Sequence, residues 1–349
     1  MRAVGNRGRW LVVGTTATAL ALMPGTAFAG RGGGGSQGDT STQGERDGQY
    51  LASRISYSAQ TGGSGGQSPK PFTSTGNWTP PACWFEPMSA SEFAASEKAS
   101  YDEVTGDPTQ PSYAKNAMAE LRKIYTDGKY KNYNLDQEGK GAFWVAVQNK
   151  DRNTELASFD CFNDLPEWVP NGTPPPMAQA VTPRILAELA YNRIKVPSTD
   201  VTVAPTPANN KVNLNTWISH DRADFKPVSV TASLNAAGVN VTATTTARPV
   251  SLHIKAGTAD AQLYPASGEC AINADGTIGA PFTEGSADKT PPCGLKYLRA
   301  SGNGGYSLEA SITWEVTWEG SNGANGNLDP GTFTTVQNIT VQEIQAVNR

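Results

Sequence analysis

The chain has 349 residues with 28 Lys and Arg against 32 Asp and Glu, a net charge of -4, so no basic footprint for nucleic acid exists. Charged residues make up 17%, below the roughly 25% usual for globular domains, which suits a β-rich exported surface. Four cysteines, Cys83, Cys161, Cys270 and Cys293, with only two histidines, His220 and His253, and no C-x-x-C spacing predict disulfides and no metal site or cofactor.

In chain order, Arg2, Arg7 and Arg9 precede an apolar run from Trp10 to Met23, followed by Ala27-Phe28-Ala29. The run is too short to span a bilayer, and the pattern predicts a signal peptide over 1–29 cut after Ala29. Its removal takes three arginines away and leaves 25 basic against 32 acidic residues, a net charge of -7. No later apolar run has transmembrane length, so no integral membrane segment is expected after cleavage. The remaining ~320 residues exceed one typical domain and favour roughly two.

Residues 30–70, with glycine clusters at Gly32–Gly35 and Gly62–Gly66, predict a flexible tether around a weakly alternating stretch, Tyr50 to Tyr57. Residues 71–170 predict an α+β module. Ser89 and Glu92 form a capping box for a helix from about Ala90 to Val104, and Ser112 is the expected cap of a second helix ending at Asp127-Gly128. Short strands are expected at Ala142–Val147 and Leu156–Phe162. Residues 171–200 hold a proline-rich linker and a third helix capped by Thr182 with Pro183 at its first position, expected to pack between the modules.

From 201 to 349 the chain predicts an antiparallel β-sandwich, with runs at Val228–Leu234, Val239–Thr246 and Pro249–Ile254. Ser307–Trp318 alternates strictly: Leu308, Ala310, Ile312, Trp314, Val316 and Trp318 face one way, polar residues the other. Ser321–Gly331 reads as a hairpin loop into a last strand from Phe333. Of the three possible cysteine pairings, Cys83 with Cys161 and Cys270 with Cys293 keeps each bridge inside one candidate domain.

The segments Trp78-Thr79-Pro80-Pro81-Ala82-Cys83-Trp84, Val212–Trp217, Pro291–Tyr297, Ile312–Trp318 and Val341–Val347 resemble an uncharacterised family of secreted actinobacterial proteins. Members are sometimes labelled enoyl reductases. The resemblance implies a PKD-like, immunoglobulin-like C-terminal domain and an extracellular or cell-wall address, and transfers no catalytic residue. Ser251–Thr258 lacks the aspartates of the PKD pattern.

Candidate chemistry is sparse. The glycine clusters do not sit between a strand and a helix, as a dinucleotide site requires, so the reductase label has no physical basis here. Gly62-Gly63-Ser64-Gly65-Gly66 matches a nucleophile elbow only by composition, and His220 beside Asp221 reads as a turn. No catalytic residue is assigned. Trp84, Phe85, Trp144 and Trp168 form the expected aromatic platform, the usual means by which exported proteins hold glycans or extended peptides. The expectation is a secreted, non-catalytic binding protein of the envelope or extracellular space, whose partner is a cell-wall glycan, a peptide or another protein. The alternative is a hydrolase of an envelope polymer using Glu86 and Glu167, with Asp164 nearby, as paired carboxylates.

Overall fold

A computed structural model describes residues 46–47, 50–51, 53–60, 70–71, 73–76, 79–197, 200–220 and 226–344. The expected signal peptide, most of the expected tether, Trp78 and Asp221 lie outside them. The fold is mostly antiparallel sheet, 41% strand and 23% helix, with one strongly curled sheet.

The stretch read as tether contributes β1 (Ser56–Gln60), and β2 (Thr73–Ser74) follows just beyond it. Ile55 is buried in the main core, so this part of the tether expectation is corrected: alternation around Tyr50–Tyr57 marked a strand, not a linker.

Next come β3 (Cys83–Met88), α1 (Ala90–Gly106), α2 (Ser112–Thr126), β4 (Gly141–Gln148) and β5 (Glu167–Pro170). The capping box at Ser89 and Glu92 forms and starts α1. Ser112 is instead the first helical residue of α2; Pro111 occupies the cap position and no side chain caps the helix. β3, β4 and β5 make a three-stranded antiparallel sheet covered on both faces. Met88, Phe143 and Val145 on one face pack with Phe93, Tyr125, Tyr130 and Tyr133 from the helical layer; Phe93 stacks on Phe143 at 4.2 Å. Phe85, Trp144 and Ala146 on the other face join the main core.

Leu156–Phe162, expected as a strand, lies in a 3-10 segment, Leu156–Asn163. Its polar side chains satisfy the local backbone: the Ser158 hydroxyl donates to the Glu155 carbonyl at 2.7 Å, and such bonds favour a tight turn over a ladder. The Cys83–Cys161 disulfide ties it to β3.

Helix α3 (Pro183–Tyr191) begins at Thr182, whose hydroxyl accepts from the Ile185 amide at 3.2 Å, with Pro183 at the first position. The later strands of the two large sheets are β6 (Thr202–Ala204), β7 (Asn215–His220), β8 (Val228–Ala236), β9 (Val239–Lys255), β10 (Ala261–Tyr264), β11 (Glu269–Ala271), β12 (Ile278–Gly279), β13 (Gly294–Tyr297), β14 (Tyr306–Gly320) and β15 (Asn325–Ile339). The two runs expected around Pro249 are one strand, β9: the register against β14 shifts between Pro249 and Ser251, so a bulge at Val250 sits beside the proline that cannot donate. The turn expected over Ser321–Gly331 shrinks to Ser321–Gly323, where Asn322 and Gly323 adopt φ of 60° and 75°.

A seven-stranded sheet runs β1-β8-β9-β14-β15-β2, with β11 beside β9. A five-stranded sheet runs β6-β7-β13-β10, with β12 beside β7. The alternating residues of β14 point Leu308, Ala310, Ile312, Trp314, Val316 and Trp318 inward. At one end this inner face meets α3, where the Thr245 hydroxyl donates to the Ala187 carbonyl at 2.8 Å. Elsewhere in the same core lie Ile218, Leu295 and Tyr297 of the five-stranded sheet, and the Tyr297 hydroxyl reaches the Ala256 carbonyl just beyond β9. The Cys270–Cys293 disulfide joins β11 of the larger sheet to the residue preceding β13 of the smaller. One hydrophobic cluster continues from Phe85 and Trp144 through Leu186 to Leu234 and Trp314, so the 171–200 segment does not separate two cores.

Candidate functional site

The residues expected to form an aromatic platform are interior. Trp84 is 3% exposed, Phe85 0% and Trp144 5%. Only Trp168 is half-buried, and its ring lies against Phe143 at 5.2 Å. The platform reading is therefore corrected: helices cover one face of the three-stranded sheet and the main core covers the other.

The acid pair fails on register. Glu86 lies opposite Val145 on β4, and Glu167 lies opposite Trp144. Cross-strand partners share a face and adjacent residues alternate, so the two carboxylates project to opposite sides of the sheet. They cannot flank one glycosidic bond. Glu167 instead pairs with Lys129 at 2.8 Å.

Glu86 is a buried clasp for the N-terminal segment. Its carboxylate accepts from the Ser53 hydroxyl at 2.6 Å, the Trp84 indole at 2.7 Å and the Arg54 amide at 2.9 Å. Burial pushes its pKa up, against the opposing pull of these three donors and the Arg54 charge. The Arg54 guanidinium reaches Glu92 at 3.2 Å, linking the clasp to the first turn of α1. Every carboxylate oxygen of Glu86 thus has a structural partner, which leaves no role as an exposed acid or base. His220 is buried, and His253 Nδ1 lies 2.8 Å from Glu269 across β9 and β11. Among the described residues no group of three or more His, Cys, Asp or Glu could hold a metal.

A second concentration of aromatic and polar side chains lies on the outer face of the five-stranded sheet. On β7, Ile218 points into the core, so Asn215, Trp217 and Ser219 point away from it. Register puts Trp217 opposite Ala204 on one side and Gly294 on the other, with Tyr264 beyond Gly294. The next row is Asn215, Lys296 and Gln262. Two aromatic side chains therefore stand two strand spacings apart, about 10 Å, with a residue lacking a side chain between them. Trp217 is buried yet belongs to neither hydrophobic cluster; the loop of residues 280–292 meets it through Phe282. From that loop Phe282, 43% exposed, meets the indole edge-on at 6.1 Å. The Asn215 amide donates to the Lys289 carbonyl at 3.0 Å, while Asn215 Oδ1 and Trp217 Nε1 are buried with no hydrogen-bond partner among the described residues.

This row escaped the sequence reading. The alternation Asn215, Trp217, Ser219 was present, but its meaning depends on register with Gly294 and Tyr264, which no local pattern supplies. No family model, curated protein or solved structure matches the chain.

Proposed function

We propose that this is an exported, non-catalytic binding protein of the cell envelope or extracellular space, and that its ligand is a glycan. The observation that carries the reading is the outer face of the five-stranded sheet, where Trp217 and Tyr264 share one row and Asn215, Lys296 and Gln262 the next. Aromatic faces with a few fixed polar groups suit sugar rings, whose apolar faces stack while their hydroxyls need donors and acceptors. Export rests on the leader pattern of residues 1–29; the two disulfides are compatible with an oxidising compartment, and no helix among the described residues is long and apolar enough to cross a membrane.

In this reading the two sheets bridged by Cys270–Cys293 form an immunoglobulin-like or PKD-like sandwich that presents the site. The hydrolase alternative is not retained, because Glu86 and Glu167 face opposite sides. The test is a pull-down of the 30–349 protein on wall fractions together with a glycan array. Saturable binding to a glycan is expected; retention by no glycan on either surface would overturn the proposal.

A further inference from the structure

We infer that residues 280–292 form a lid over a sugar subsite, in which Trp217 Nε1 and Asn215 Oδ1 are the donor and acceptor for an N-acetylated sugar. This rests on the glycan reading above and adds the position and the sugar class.

The segment is long, irregular and exposed apart from the half-buried Ala280 and the buried Ser286 and Pro291. Loops of this length without secondary structure are uncommon in packed proteins and usually serve as lids or binding loops. Its ends are fixed: Ile278–Gly279 pairs with β7, and Cys293 is held by its disulfide and by the Ile218 amide. Between those anchors it touches the sheet lightly. Asn215 Nδ2 reaches the Lys289 carbonyl, and Phe282 meets Trp217. Its other hydrogen bonds among the described residues close within the loop, from Ser286 to Thr283 and from Lys289 to Ser286. Lifting the loop would cost one bond to the sheet, one ring contact and the packing of Pro291 over Gly294.

What lies beneath is unusual. Buried polar atoms are nearly always paired, because an orphan forfeits its hydration with nothing in return. Here a donor and an acceptor two residues apart on one strand face find no partner among the described residues, beside Gly294, over which Pro291 of the loop packs. Trp217 is 7% exposed, so its N–H is shielded from solvent while the loop is down. An acetamido group carries one carbonyl acceptor and one N–H donor, the complement of this pair, and Phe282 and Tyr264 supply apolar walls for the ring and methyl group. The same Asn215 amide that holds the loop also belongs to the subsite, so ligand binding and loop closure compete for one side chain.

The experiment titrates chitohexaose, with cellohexaose as the comparison lacking acetamido groups, into the 30–349 protein, Trp217→Phe and Phe282→Ala. Calorimetry gives affinity, and hydrogen exchange follows the amides of 280–292. Trp217→Phe keeps an aromatic ring and deletes only the donor edge; Phe282→Ala alters an exposed ring, so folding survives in at least one variant. Expected are binding of chitohexaose over cellohexaose, altered exchange in 280–292, and at least a tenfold loss in Trp217→Phe. Glycan binding that neither variant weakens, with exchange in 280–292 unmoved, would overturn the subsite and leave the glycan reading standing. Preference for cellohexaose would overturn the acetamido assignment. Absence of binding to any glycan on the array would overturn both.

Discussion

Trp84 and Trp217 are both almost wholly buried, and each stands on a strand beside a disulfide. Their indole nitrogens meet opposite fates. Trp84 donates to Glu86, inside a cluster that also holds Ser53 and Arg54; Trp217 has no acceptor among the described residues and meets a loop instead of a core. The first arrangement fastens the chain to itself, and the second leaves binding capacity unspent. Burial alone therefore does not distinguish these two tryptophans; the accounting of their N–H groups does.

The comparison can be broken first at the bridges. In the chain-entropy relation, replacing Cys83 and Cys161 with Ser, separated by 78 residues, should cost about 4.5 kcal/mol, and the same change at Cys270 and Cys293, separated by 23, about 3 kcal/mol. Urea unfolding of the two double variants checks the order. Glu86→Ala comes next. Three donors lose their acceptor at once, and a loss of about 3 kcal/mol is expected, with faster hydrogen exchange over Ser56–Gln60 because the segment is no longer clasped.

A sharper contrast comes from Trp84→Phe and Trp217→Phe. Both remove the same atoms, but only the first breaks a bond to a carboxylate, so it should be the more destabilising by about 2 kcal/mol. Equal losses would erase the distinction drawn between the two sites. The smallest effect is on pH. Because burial raises the Glu86 pKa, the folded state binds more protons than the unfolded one above the unfolded value of about 4.3. Its contribution to stability is complete below that value and is lost as pH rises through the folded pKa. Glu86→Gln should remove this slope, gaining relative to the parent as pH rises from 4 to 7 in urea midpoints.

Local order was readable where local chemistry decides it. Ser89 with Glu92 and Thr182 with Pro183 set two helix starts, and the strict alternation of Ser307–Trp318 set the inner face of β14. Reading failed where distant partners decide. Leu156–Phe162 has strand composition, yet Ser158 and the bridge at Cys161 wind it into a turn. Pro249 looked like a break between strands and sits beside a bulge within one, because β14 continues opposite it. The platform at Trp84, Phe85 and Trp144 was inferred from an excess of aromatics, and two packed layers on either side of a three-stranded sheet consume that excess. Trp217, Gly294 and Tyr264 are spread over 78 positions of sequence, and only pairing in one sheet makes them neighbours.

The seven-stranded sheet has consequences for the order in which the molecule can assemble. Its outermost strands, β1 and β2, come from the beginning of the described chain, but β1 pairs with Ser229–Ser233 and β2 with Gly331–Thr332. A chain emerging N-terminus first from the ribosome must keep Ser56–Gln60 waiting for about 170 residues, and Thr73–Ser74 for about 260, before either finds its ladder. Completion of the sheet is therefore a late event that follows release of nearly the whole polypeptide. Until then the early strands present unpaired backbone, which any factor that binds extended chain can take up.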